Sequence, residues 1–330
     1  MVIASAMQPI WRFMVENNTQ LKEMIRSMVI DLLQGQKQEA ASSQPVKQAP
    51  RGQVEPGVFD TVDDAIQAAK AAQARFEDCT LATREKVIAD IRAAMRPRVQ
   101  ELAQKTVEET GMGRVADKVL KLNLTLDKTP GVEDLVTECE TGDNGMTLYE
   151  LSAYGVIGAI TPSTNPAETL ICNTIGMLAA GNAVFFSVHP GAKHLSRLLV
   201  SELNQIIAKS IGIENLIVTL REPSIESAQE MMLHPDVSLL VVTGGPGVVK
   251  QALQSGKKVI GAGAGNPPAF VDETADIKKA AQDIVLGASL DNNILCIAEK
   301  SVVAMRQIEP QLVQEMVKVG CVLIDNQQDI

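Results

Sequence analysis

Five cysteines are spread along this 330-residue chain, Cys79, Cys139, Cys172, Cys296 and Cys321. Cys296 stands in the stretch NILCIAEK, downstream of several strand–helix units that end in Gly-rich turns. A thiol in that place is set to act as a nucleophile beside a nucleotide cofactor. The turns are TPSTNP (161–166), VHPGAK (188–193), TGGPGVV (243–249) and GAGAGNPP (261–268), each following a β-rich run. In an open parallel sheet, ligands gather at the carboxyl ends of the strands. Small residues there let the backbone approach a phosphate or ribose. Any single strand-to-helix loop needs turn residues for its own sake, but four along one sheet point to a nucleotide crevice. The usual dinucleotide fingerprint is not met, because Gly261, Gly263 and Gly265 alternate and Asn266 stands where the last Gly would be.

The elements that must position these loops are legible as alternating runs. Strands are expected at 156–161, 183–187, 215–220, 237–243 and 257–260, with helices over roughly 167–180, 191–210, 224–233 and 246–255. Such alternation means parallel strands joined by right-handed crossovers. From residue 63 to about 126 the sequence is helical, with Ala-rich periodicity in DDAIQAAKAAQARF and again in REKVIADIRAAM, which Pro97 ends or interrupts. Further upstream, Leu21, Met24, Ile25, Met28, Val29, Leu32 and Leu33 recur at three- and four-residue steps, the pattern of an amphipathic helix that is either a docking peptide or a strut packed on its own domain. The stretch 35–57 is rich in Gln, Ser, Pro and Gly and reads as a flexible linker. Residues 1–13 carry no usable pattern, and Met14 is an alternative start.

Composition narrows the class. With 45% hydrophobic residues but 3% aromatics, the core must be built from Ala, Val, Ile, Leu and Met, which suits helices packed on parallel strands. The length allows one large or two medium domains. A net charge of -10 without a run of cations argues against nucleic acid as a partner. An odd number of scattered cysteines with no Cys-x-x-Cys pair fits a reducing cytoplasm. His189, His194 and His234 share no ligand spacing with them, so no metal site is expected. No apolar run approaches a bilayer span and nothing near the start reads as a signal peptide, so no membrane association is expected.

Taken together, TPSTNPAET, HPGAK, TGGPG, GAGAGNPP followed by VDETAD, and NNILCIAEK resemble the CoA-acylating aldehyde dehydrogenases of bacterial microcompartments, of the ethanolamine- and propanediol-utilisation type. The resemblance runs from about residue 58 to the end. It implies an α/β, aldehyde-dehydrogenase-like fold: a Rossmann-type parallel sheet with helices on both faces, plus an incomplete catalytic domain. The implied division is an N-terminal extension with an encapsulation-like helix at 1–34, a linker at 35–57, an NAD-binding domain with scaffold helices at 58–288, and the start of a catalytic domain at 289–330.

By this resemblance Cys296 attacks the aldehyde carbonyl to give a thiohemiacetal. With no His nearby in sequence, its thiolate relies on backbone dipoles or on the positive nicotinamide. The oxygen that becomes anionic needs donors, and the candidates are the Cys296 backbone N–H and the Asn165 side-chain amide. Asn165 also stands where it would cap the helix starting near Ala167. The wider superfamily carries its Asn one place earlier, where this chain has Thr164. Some relatives have Leu-Pro where Ile294-Leu295 precedes the thiol here. Hydride transfer to NAD leaves a thioacyl enzyme. Hydrolytic relatives then use a Glu in a Glu-Leu-Gly-Gly turn to activate water, but the matching turn here is GAGAG, with Ala262 at the Glu position. Deacylation therefore falls to the thiol of coenzyme A, giving an acyl-CoA.

The resemblance also places the cofactor contacts: Thr161, Pro162 and Ser163 on the first loop, Ser187, His189 and Pro190 on the second, Thr243, Gly244 and Gly245 on the third, and Gly263 on the fourth. Ser187 stands where hydrolytic relatives have a ribose-binding Lys and offers no cation for a 2'-phosphate, which favours NAD over NADP. His189 could equally be a loop residue with a solvent-facing ring. The substrate is a short aldehyde. Acetaldehyde and propionaldehyde differ by one methylene, worth only about 1–3 kcal/mol of discrimination. The helix at 18–34 matches an encapsulation peptide that docks to a microcompartment shell protein, which places the protein in the cytoplasm within such a compartment; for the full-length family the resemblance implies a homo-oligomer. The chain stops at Ile330, where relatives continue, so a truncated catalytic domain is expected. Two alternatives stay open: an inactive interaction module recruited to a shell, and a hydrolytic aldehyde dehydrogenase releasing free acid.

Overall fold

The computed structural model describes residues 55–263 and 265–324. The chain divides into two units, Met1–Val54 and Glu55–Ile330, and the description concerns the second. The helix expected at 18–34 lies outside the described residues, as does the linker up to residue 54.

Four helices follow the short strand β1 (Val58–Phe59): α1 (Val62–Glu77), α2 (Leu81–Met95), α3 (Val99–Thr110) and α4 (Val115–Lys128). The first two start at threonines whose side chains accept a backbone N–H one turn on, Thr61 from Asp64 and Thr80 from Thr83, both at 3.2 Å. As its sequence requires, Pro97 closes α2 and tightens the chain into a 3-10 turn at Arg96–Arg98 before α3. The buried stripe of α1 is Ala65, Ile66, Ala69, Ala72 and Phe76, which lies against the main sheet. Small alanines let the helix approach the strands closely.

That sheet has six strands in the order β1-β6-β5-β4-β7-β8, with β4 (Val156–Ile160), β5 (Ala183–Ser187), β6 (Ile217–Leu220), β7 (Val237–Thr243) and β8 (Lys258–Ala262). Every pairing is parallel. The chain therefore steps from β4 outward through β5 to β6, then returns across β4 to β7 and β8. The connecting helices are α5 (Pro166–Ala179), α6 (Lys193–Ile211), α7 (Ile225–Leu233) and α8 (Pro246–Leu253). Right-handed crossovers put α5 and α6 on one face and α7 and α8 on the other once the direction reverses. Helix α1 joins α7 beneath β4–β6, and α2 and α3 pack outside α6. Strands β4 and β5 are buried along their full length, which is why they read as continuous apolar runs, whereas β8 at the edge is largely exposed. Phe185, Phe186, Leu199, Leu203 and Leu240 are among the fully buried side chains, each stabilising the fold by roughly 1.5–3 kcal/mol on area grounds.

Two features were not expected. Strands β2 (Glu138–Gly142) and β3 (Gly145–Tyr149) form an antiparallel hairpin turning at Asp143-Asn144, exposed on both faces. A second, two-stranded parallel sheet joins β9 (Pro268–Val271) to β10 (Ser301–Ala304), covered by α9 (Ile277–Ser289) and α10 (Glu309–Lys318) around Val271, Ala281, Ile284 and Leu312. This layer begins at Pro268.

Candidate active site

The register aligns the strand ends that carry the loops. Ile160 pairs with Ser187 on one side and with Val242 on the other, and Thr243 pairs with Ala262. Because all five strands run the same way, TPSTNP, VHPGAK, TGGPG and GAGAG emerge along one edge. The reversal of strand order falls between β4 and β7, so the loops opening at Thr161 and Gly244 flank the switch point where such sheets bind ligands.

Thr161 is buried, and its N–H donates to the Ser187 carbonyl at 3.2 Å. Its hydroxyl has no partner among the described residues. Leaving a buried hydroxyl unpaired costs about 1–3 kcal/mol. Pro162 and Ser163 are half-buried beside it, and Ser187 is buried. Thr243 and Gly244 are half-buried, Gly245 is the exposed residue opening α8, and Gly263 is exposed. The Gly244 N–H donates to the Ala262 carbonyl at 3.1 Å, joining the third loop to the fourth. His189 and Pro190 are exposed. The His189 ring accepts the Gly191 N–H at Nδ1, 3.0 Å away, and so caps the 3-10 turn Pro190–Ala192.

Cys296 is exposed at the tip of a turn closed by Ala298 N–H donating to the Leu295 carbonyl at 3.3 Å. The base of this loop is clasped twice. Lys300 Nζ donates to the carbonyls of Asn293 and Leu295 at 3.1 and 3.0 Å and to Asn293 Oδ1 at 2.5 Å. Asn293 Nδ2 donates to the carbonyls of Ala288 and Glu299 at 2.5 and 3.1 Å. The fourth loop lies directly on the cysteine: a Cβ added at Gly265 would overlap the Cys296 carbonyl oxygen and stand 3.1 Å from its carbon. Lys300 N–H to the Pro267 carbonyl (3.4 Å) and Ser301 Oγ to Asn266 Oδ1 (3.2 Å) extend the seam.

Asn165 occupies the N-cap position of α5 without capping it. Its Oδ1 instead accepts from Lys121 Nζ, and its Nδ2 donates to Thr164 Oγ1 at 3.3 Å. Lys121 also binds Asp291 and lies 3.3 Å from Glu168 Oε1. Lys118 completes the cluster, with Nζ 2.5 Å from the Thr164 carbonyl and 3.0 Å from Asp291 Oδ2. The side chains of Lys118 and Asp291 are wholly buried. Asp291 further accepts the Arg114 N–H at 2.8 Å, while its own N–H donates to Asp117 at 2.9 Å. Burial pushes the Asp291 carboxyl up, yet hydrogen bonds from Lys121, the Arg114 amide and Lys118 outweigh it and hold the group below the usual carboxylate range. For Lys118 burial is the largest influence and lowers its basicity, against the attraction of Glu168.

Asp291 begins a run of three non-glycine residues in the left-handed region, with Asn292 and Asn293, at φ of 50, 55 and 59°. Asn and Asp tolerate that conformation best, and the ion pairs and the Asn293 clasp hold it in place. This kinked run delivers the chain to Cys296. Sequence reasoning missed the cluster although a signal existed: Lys118, Lys121, Leu122 and Leu126 share one buried stripe of α4, while Leu120 and Leu124 face outward.

A parallel sheet with this strand order, a crevice of small-residue loops and a braced cysteine seated on the last of them define a doubly wound α/β fold with a ligand crevice at its switch point. The profile of the aldehyde dehydrogenase family matches residues 33–321, and the chain belongs to that family. It is 48% identical over 308 residues to a propanal dehydrogenase (CoA-propanoylating) of Salmonella typhimurium strain LT2, covering 93% of this chain and 64% of that protein. Identity is 49% over 263 residues to an acetaldehyde dehydrogenase (acetylating) of Escherichia coli K12, covering 79% of this chain and 56% of the relative. Among solved structures, a propionaldehyde dehydrogenase from the Clostridium phytofermentans fucose utilisation bacterial microcompartment superposes with a TM-score of 0.80 at 51% identity, covering 83% of this chain and 63% of that one. A Rhodopseudomonas palustris propionaldehyde dehydrogenase with bound CoA and an acylated cysteine gives 0.80 at 50% identity, covering 84% and 63%. The chain thus spans less than two thirds of the length of each of these relatives.

Proposed function

We propose that this chain carries the nucleotide crevice and the nucleophile of a CoA-acylating aldehyde dehydrogenase that converts a short aliphatic aldehyde to its acyl-CoA. The observation that carries this reading is the seat of Cys296 on the GAGAG turn. In hydrolytic relatives the matching turn supplies the glutamate that activates water, and here it holds Ala262. Of the carboxylates nearest to Cys296 in sequence, Asp291 is bound by two lysines, and Glu299 lies beside Gly287.

In this reading the Cys296 thiolate adds to the aldehyde carbon and the carbonyl oxygen takes up negative charge. The Asn165 amide and the Cys296 backbone N–H donate to that oxygen. When bound, NAD accepts the hydride and CoA brings a thiol that is a better nucleophile than water. Thr161, Pro162 and Ser163, Ser187, His189 and Pro190, Thr243, Gly244 and Gly245, and Gly263 form the edge along which these ligands lie. The buried unpaired Thr161 hydroxyl supports that placement. Ser187 offers no cation for a 2'-phosphate and favours NAD, although an engineered glycolyl-CoA reductase 50% identical to this chain holds NADP+. In the same reading residues 18–34 dock to a shell protein and the chain resides in a microcompartment, the setting named for the Clostridium relative.

The test is to supply the full chain with propanal or acetaldehyde, NAD and CoA and to measure acyl-CoA. Formation by the wild type and loss in Cys296→Ala is the expected result. Undiminished formation in that variant would remove the cysteine from the mechanism. Deleting residues 1–50 is expected to leave catalysis and abolish co-localisation with shell proteins.

A further inference from the structure

The amide of an asparagine has two ends of nearly equal shape, one accepting hydrogen bonds and one donating them, and rotation about its last bond is soft. An oxyanion donor must present the N–H end, so something has to choose between the two. An ammonium group has donors only, and an amide facing it must turn its oxygen inward. That is the arrangement at Asn165, where Oδ1 faces Lys121 Nζ and one N–H goes to Thr164 Oγ1. The second N–H of the amide has no partner among the described residues.

We propose that Lys121 is a positioning residue for this reaction: by holding Asn165 Oδ1 it keeps an N–H, rather than a lone pair, available to the oxygen that becomes anionic when Cys296 adds to a carbonyl. The proposal rests on the roles given above to Cys296 and Asn165. Lys121 also binds Asp291, the first residue of the left-handed run that leads to Cys296, so one cation fixes both the donor and the nucleophile's segment. Lys118 holds the neighbouring Thr164 carbonyl and the same Asp291, but makes no bond to the amide. Glu168 lies 3.3 Å from Lys121, and its oxygens have no hydrogen-bond partner among the described residues, so it contributes charge balance alone. The two lysines and two carboxylates leave the cluster neutral. Without Lys121 the amide is free to turn its oxygen toward the developing charge, which repels it.

The test needs no turnover. In 1,1,1-trifluoroacetone the trifluoromethyl group acidifies the adduct, so addition of the Cys296 thiolate leaves an ionised oxygen. The carbon–sulfur bond forms as the carbonyl π pair moves to oxygen, with no leaving group and no redox change. Titration of the full chain followed by 19F NMR gives the affinity of the adduct, and Cys296→Ala identifies its signal. Asn165→Ala and Lys121→Met are each expected to weaken the adduct by about a hundredfold, the scale of losing one oxyanion donor. The Lys121→Met/Asn165→Ala double variant should bind no more weakly than Asn165→Ala, because both changes remove one interaction. Lys121→Arg, still a donor-only cation, should recover most of the affinity. If Lys121→Met fails to fold, Lys121→Met/Glu168→Gln removes one charge of each sign and carries the same expectation. Unchanged affinity in the lysine variants, or losses that multiply in the double variant, would overturn the positioning role alone. Absence of any Cys296-dependent adduct in the wild type would overturn the nucleophile reading and this proposal with it.

Discussion

The α-carbon of Gly265 faces the carbonyl of Cys296 at a separation that no side chain can share: the nearest atoms to an added Cβ are the oxygen, carbon and α-carbon of the cysteine, the last two at 3.1 and 3.8 Å. Two loops far apart in sequence are thereby locked together, one leaving the edge strand β8 and one carrying the thiol. The position of the sulfur along the crevice depends on glycine at 265.

Gly265→Ala is therefore expected to push the cysteine turn away from β8. The obstacle is backbone, which cannot swing aside as a flexible side chain would. Overpacking of this kind costs about 1–3 kcal/mol, to be read as a lowered urea midpoint. Alkylation of Cys296 by iodoacetamide, followed by mass spectrometry, should change in rate while that of Cys139, exposed on the hairpin, does not. Equal rates at Cys296 in both proteins would show that the seam does not position the thiol.

Asp291 is the anionic centre of the buried cluster, and its loss strands Lys118 and Lys121 with Glu168 as their one remaining carboxylate partner. Breaking a buried pair from one side costs about 3–5 kcal/mol. Asp291→Asn should approach that figure in equilibrium unfolding, and Asp291→Ala should exceed it because the Arg114 N–H also loses its acceptor. Gly113 belongs to the same feature: at φ +79° its missing Cβ leaves the space that Asp291 fills. A loss below about 1 kcal/mol, the value of an exposed pair, would mean that water reaches the cluster.

The same groups set opposite limbs of the stability–pH curve. Asp291 has a folded pKa below its unfolded one, so its contribution is fully present above the unfolded value and is lost as pH falls through the folded value. Stability should therefore decline on acidification below about pH 4, and Asp291→Asn should flatten that limb. Lys118 has its basicity lowered by burial, so the unfolded chain holds its proton more tightly than the native protein. Its contribution makes stability rise as pH climbs from the folded pKa toward the unfolded value near about 10.4. Urea midpoints of Lys118→Met across alkaline pH should lack that gain.

Much of this architecture was legible because the buried strands repeat a simple rule. The runs at 156–160 and 183–187 are almost wholly apolar, as strands covered on both faces must be, and 237–243 is apolar but for Ser238 and Thr243; the structure places strands at all three. The hairpin at 138–149 escaped notice because ECETG and GMTLY are short and exposed on both faces, although Asp143-Asn144-Gly145 is a turn signal in its own right. The ion cluster escaped for a different reason. Lysines on a helix read as solvated, and only the fold shows that Lys118 and Lys121 meet Asp291 from a segment about 170 residues away. For Asn165 the sequence allowed a cap or a ligand-facing amide; its side chain makes no cap bond, and its oxygen accepts from Lys121.

Replacing Ala262 with glutamate tests the chemistry itself. Ala262 ends β8, and the same turn meets Cys296 three residues later at Gly265, so a carboxylate there enters the turn seated on the cysteine. In the wild type, aldehyde and NAD without CoA should yield one equivalent of NADH and stop, because the thioacyl group has no acceptor. In Ala262→Glu a general base near that group can activate water, an effect worth about 10²–10⁴-fold. NADH formation should then continue past one equivalent and free acid should accumulate. CoA-dependent turnover should fall as water competes for the thioester. If the wild type already turns over without CoA, some other group is activating water and the acylating assignment fails. If Ala262→Glu folds, retains CoA-dependent activity and gains no hydrolysis, the missing carboxylate is not what separates the two chemistries.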